Sequence, residues 1–143
     1  LGSWGKASLE SDEGLDVLHE LTQYTVDCTS VTLKELLTHF RQLGFLSENP
    51  EEEDFLYDNT AIALAEIVCA YTENGETKYE SLNGLKEIIS EKEDLLALQQ
   101  LVQQVLDNKG GERELYELRD GDPAWIEHME QLVRTLSAEH AAK

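Results

Sequence analysis

The sequence predicts an all-α fold, a compact single-domain helical bundle of about five to seven helices. Three observations predict it. Apolar residues recur every three or four positions along most of the chain, which is the spacing of one helix face. Cap and stop residues bracket those stripes. No stretch alternates apolar with polar residues for long enough to build a sheet. The 143 residues suit one acidic helical domain over 1–143, with a loop segment at 1–10 and a frayed tail at 137–143.

The first helix is expected at about 11–26. Ser11 can cap the free amides there, and Asp12 and Glu13 favour the positive end of the helix dipole. Leu15, Leu18 and Leu21 repeat behind them, flanked by Val17, Tyr24 and Val26. Thr32 and Glu35 form a capping-box pattern ahead of a stripe of Leu33, Leu36, Leu37, Phe40 and Leu43, and Gly44 is a ready stop. Asn49-Pro50 reads as a third start, a cap followed by proline in the first turn. The run Ala61 to Ala70 is apolar almost all round, so its helix is central and buried, and its alanines let neighbours approach closely. Asp58-Asn59 marks a candidate break in this segment, and Asn74-Gly75 ends it. Ser81 to Ser90 reads as a short helix with Leu82, Leu85, Ile88 and Ile89 inward. Leu95, Leu98, Leu101, Val102, Val105 and Leu106 make an amphipathic helix that stops at Gly110-Gly111. A helical turn is expected near Glu112 to Leu118. Asp122-Pro123 opens the last helix, with a stripe of Trp125, Ile126, Met129, Leu132, Val133 and Leu136.

Charge is the unusual property. Thirty acidic residues against eleven basic ones give a formal net charge of -19. The excess is distributed, with 13 acids and 3 bases in residues 1–60 and the remainder beyond them. Such a field repels nucleic acid and anionic lipid, so neither is expected as a partner. It attracts basic proteins, polyamines and divalent cations. Cys28 and Cys69 both lie in apolar helical patterns, which reads as buried free thiols in a reducing compartment. The opening residues carry no apolar run, and the Ala61 to Tyr71 stretch is too short to span a bilayer. The expected compartment is the cytoplasm.

The opening carries a pattern: Trp4-Gly5, followed by Leu9-Glu10-Ser11-Asp12-Glu13-Gly14-Leu15-Asp16-Val17-Leu18. It resembles the bacterial family called domain of unknown function 4259, whose members start with Trp-Gly, an aromatic, an Asn-Asp pair and an Ala-Leu-Asp run. The alanine-rich stretch Ala61 to Ala70 is similar to the family's central helix, and Arg113 to Leu118 ahead of Trp125 is similar to its end. Ala7, Leu9, Ser11, Gly14 and Arg119 depart from the family's usual glycine, phenylalanine, asparagine, alanine and tryptophan. The resemblance implies a small acidic bacterial protein and brings no reaction or cofactor. Read from the residues alone, Trp4 staples the N-terminal segment to the bundle and Gly5 permits a turn. Asp12 and Asp16, one helical turn apart, serve the helix start or offer two carboxylates to a cation or a basic partner.

Catalytic chemistry finds little support. Cys28, Cys69, His19, His39, His128 and His140 supply reactive groups without a local nucleophile motif. Asp16-x-x-His19 is one imperfect copy of a unit that a bundle di-metal site needs twice. Glu35 and His39 read as a surface pair. The loop Asp107 to Gly111 puts lysine at a calcium-ligand place. No catalytic residue, metal ligand or cofactor is assigned.

The candidate functional surface is Glu48, Glu51, Glu52, Glu53, Asp54 and Asp58. Several of these carboxylates share a helix face and repel one another, and a basic partner would relieve that repulsion. Phe55 and Tyr57 lie among them as anchors or core residues. The expected function is a non-catalytic interaction module for a basic protein, immunity-like or inhibitor-like, with DNA mimicry as a related form. The alternative is a metal-dependent enzyme or metal-binding protein using scattered carboxylates and histidines.

Overall fold

The computed structural model describes residues 9, 11–49, 52, 54–77, 79–119 and 122–142. Among them lie six α-helices: α1 Asp12–Tyr24, α2 Leu33–Gln42, α3 Phe55–Asn74, α4 Lys92–Leu106, α5 Glu114–Arg119 and α6 Pro123–Ala142. Two three-residue strands, β1 Ser30–Thr32 and β2 Glu87–Ile89, pair in parallel, and Glu80–Leu82 makes a 3₁₀ turn. The fold is all-α. None of these helices is long and apolar enough to cross a membrane.

Helix α3 is the axis. It packs against α1, α4, α5 and α6, so no side of its middle faces water. Residues 58–69 are all buried, among them Ala61, Ala63 and Ala65, whose small side chains bring the neighbours close. The helix stops at Gly75, whose φ of +71° lies in the left-handed region, with its amide on the Tyr71 carbonyl at 3.0 Å. Asp58 and Asn59 do not break the helix. Its N-cap is Asp54, whose carboxylate accepts from the Leu56 amide at 2.8 Å, so α3 starts after the expected Asn49-Pro50 signal.

Helices α3 and α6 run parallel. His128 lies 2.6 Å from Glu66, the Cys69 thiol donates to the Leu132 carbonyl at 3.9 Å, and Thr135 donates to Glu73 at 3.1 Å. The contacts climb both helices together. The expected stripe Trp125, Met129, Leu132 and Leu136 is buried, with Ile126 and Val133 half-buried against the core. Helix α6 continues past Ser137 to Ala142, as its alanines favour.

The other caps behave as their sequences dictate. Ser11 Oγ accepts the Gly14 amide at 3.0 Å, and Thr32 and Glu35 make both limbs of the capping box. On α1 the buried face is Val17 and Leu21, with Leu18 and Tyr24 half-buried, while Leu15 and, in the turn after the helix, Val26 face solvent.

The largest departure lies at 81–90. Instead of a helix, a 3₁₀ turn leads into β2, which pairs with β1 in the register Ser30↔Glu87 to Thr32↔Ile89. The backbone finds its partners across the chain: the Lys86 amide donates to the Thr29 carbonyl at 2.7 Å, and the Tyr71 hydroxyl donates to the Leu85 carbonyl at 2.8 Å. The β-branched pair Ile88-Ile89 suits an extended backbone. Leu82 and Leu85 are buried as expected, but Ile89 is 45% exposed.

Candidate functional site

The acidic run between α2 and α3 divides. Glu48, Glu52 and Asp54 are exposed, while Glu51 and Glu53 lie outside the described residues. The loop is folded on itself: the Ser47 hydroxyl donates to the Glu52 carboxylate, and the Asn49 amide donates back to Ser47 Oγ at 3.0 Å. Asp58 leaves the surface group. It is buried, and its Oδ1 accepts from Arg113 Nη1 at 2.6 Å, with side-chain exposures of 7% and 2%. The reason is location: one turn into α3, the helix is already enclosed. Phe55 and Tyr57 are half-buried, and Phe55 packs on the core.

Arg113 reaches Asp58 because the turn before α5 is fixed. Asn108 adopts a left-handed φ of 49°, and its side-chain oxygen accepts the Arg113 amide at 3.1 Å. The guanidinium Nε donates to the Lys109 carbonyl at 2.9 Å. A guanidinium held at two points can be buried, since its charge is paired and two of its donors are occupied.

Around this pair two spaces open. One, of about 20 Å³, lies toward Ser47, Tyr57, Leu101 and Gln104 and has room for one water. The other is an open groove of about 340 Å³, lined by Asp54, Phe55, Asp58, Glu112, Arg113 and Glu114. Since Asp58 and Arg113 neutralise each other, the groove's net charge comes from the exposed carboxylates of Asp54, Glu112 and Glu114. Phe55 supplies an apolar wall. Sequence reasoning found Asp54 and missed Glu112 and Glu114, which join it through the fold. The available signal was Arg113 itself, one of eleven basic residues, set between two glutamates after Gly110-Gly111.

A second buried carboxylate lies further along α3. Glu66, on the apolar part of α3, has side-chain exposure of 7%; one oxygen accepts the Leu9 amide at 3.0 Å and the other meets His128 Nε2 at 2.6 Å. It fastens the end of the N-terminal segment to the central helix and α6. Trp4 and Gly5 of that segment lie outside the described residues, and Asp12 and Asp16 are exposed on α1.

The remaining titratable groups are dispersed. His39 lies 3.5 Å from Glu20 and stacks on Tyr24 with ring centroids 4.3 Å apart. It does not pair with Glu35, which instead accepts from the Tyr24 hydroxyl at 2.9 Å and from the Thr32 amide at 2.8 Å. The Thr32 amide bond holds the Glu35 carboxyl below the usual glutamate range, against the opposing effect of burial, and the Tyr24 hydroxyl adds to the lowering. Burial pushes the Cys69 thiol up to about 12, which keeps it protonated and unreactive. Cys28, half-buried, is also free. Among the described residues no group of three or more His, Cys, Asp or Glu side chains is placed to hold a metal ion.

The family model described as Domain of unknown function (DUF4259) matches residues 2–131 of this chain. No curated protein and no solved structure matches it.

Proposed function

We propose a function on the premise that the chain belongs to the DUF4259 family: it is a non-catalytic interaction module of the bacterial cytoplasm that binds a basic protein. The observation that carries this reading is the groove at the start of α3 and α5, where Asp54, Glu112 and Glu114 surround the Phe55 wall. A cationic side chain of a partner would lay its apolar stem on Phe55 and its charge among the carboxylates. The net charge of -19 supports the same class of partner, because its field steers a cationic surface toward the domain from beyond contact distance. Occupying a partner's cationic cleft would make the module immunity-like or inhibitor-like.

The test has two stages. The chain is immobilised, and proteins from a bacterium encoding it are captured at low and at high salt. A basic protein is expected at low salt. Its purified form should then bind the Asp54→Asn, Glu112→Gln, Glu114→Gln triple variant at least tenfold more weakly. Failure to recover a basic protein, or equal affinity for the triple variant, would refute the reading.

A further inference from the structure

Strand β2 belongs to a sheet with two strands among the described residues. One edge faces β1, where the Glu87 amide donates to the Thr29 carbonyl at 3.3 Å. Backbone groups of successive strand residues point to opposite edges, so the N–H and C=O of Ile88 point away from β1. A groove of about 600 Å³ lies beside the strand, lined by residues 86–90 and, opposite, by Tyr71 and Gly75 at the end of α3 and Glu139 of α6. Side chains alone would alternate between faces, so a groove touching residues 86–90 in succession runs along the whole of the three-residue strand, about 10 Å, and just past both its ends.

The chemistry of the groove selects an occupant. Glu87 and Glu139 line it against Lys86, and the neighbouring hollow that begins at Ser90 adds Glu91 and Glu93 against Lys92. Ile89, 45% exposed, offers apolar contact within this acidic rim. We propose that β2 is a docking edge for an extended cationic segment of a partner protein, which adds as a third strand. Main-chain bonds to Ile88 supply the register and the glutamates select the charge. The inference shares with the proposed function the basic character of the partner, but it uses another face and backbone pairing.

The full chain is titrated, by fluorescence anisotropy, into a labelled Lys-Val-Lys-Val-Lys-Val peptide and into the same peptide N-methylated at every residue. The two have equal charge, but the second lacks backbone donors. The unmethylated peptide should bind at least tenfold more tightly. Glu87→Lys, at an exposed position, should weaken its binding several-fold. Ile88→Pro, which removes the outward N–H, should reduce the difference between the peptides, with circular dichroism checking that it folds. If it does not fold, Glu87→Lys and the peptide pair still decide the matter. Equal binding of the two peptides, or no binding of the unmethylated one, overturns the inference. So does binding that is lost in the Asp54→Asn, Glu112→Gln, Glu114→Gln variant but kept in Glu87→Lys, a result that would place the peptide in the α3–α5 groove and support the proposed function.

Discussion

Replacing Arg113 with methionine removes the guanidinium and keeps most of its volume. The Asp58 carboxylate, with 7% side-chain exposure, then loses the cation 2.6 Å away, and the Lys109 carbonyl loses its donor. Breaking a buried pair from one side costs about 3–5 kcal/mol, since the remaining charge stays in a poorly solvated place. Domains have about 5–15 kcal/mol of stability in total, so the variant should be severely weakened. At roughly 2–4 °C per kcal/mol for a chain of this size, Tm should fall by about 6–20 °C. Urea unfolding followed by circular dichroism measures the loss directly. The double variant Asp58→Leu, Arg113→Met should recover most of it, because both charges are gone and the volume is refilled. A single-variant loss under about 1 kcal/mol, or a double variant no better than the single one, would refute the account of this pair as a desolvated, mutually dependent unit.

Three further outcomes follow from the packing. Ala65→Glu puts a carboxylate at a position with 0% exposure, so the chain should fail to give a cooperative melt; a variant that melts like the parent would mean the core is misplaced. The depressed pKa of Glu35 contributes stability that is present above the ordinary glutamate value and is lost as pH falls through the lowered one. Glu35→Gln, which keeps the shape of the capping box and removes the titrating carboxyl, should therefore flatten the stability–pH curve across that acidic window, measured by urea titrations at several pH values, while Thr32→Ala, which leaves the backbone amide bond to Glu35 in place, should cost about 1 kcal/mol near neutral pH. With its thiol raised to about 12, Cys69 should resist an aromatic disulfide reagent at pH 8 while Cys28 reacts, and both should react in urea; two rapid thiols in the folded chain would contradict the burial of Cys69.

What could be read from the sequence was what is decided within a few residues. Thr32 and Glu35 make their capping box with each other, and the apolar run of α3 admits no exposed face, so both were legible. Ile88 and Ile89 were not. With Leu82 and Leu85 they fit a helical face, and only β1, far earlier in the chain, gives them an extended alternative. Asp58 looked like one more member of an acidic run, and the cation that pairs with it in the interior is an arginine 55 positions away. The same holds for the groove, whose Asp54 belongs to a recognisable run while Glu112 and Glu114 arrive through the turn at Asn108.

The three rungs between α3 and α6 also limit how the last helix can respond to change. Successive residues of a helix are rotated by about 100°, so a one-residue insertion between His128 and Leu132 would swing Leu132 and Thr135 off their partners while His128 stays on Glu66. Small slippage is therefore blocked much as a pawl blocks a ratchet. In evolution, length variation in this part of the molecule should accumulate in the connections that flank α6 and spare the helix itself.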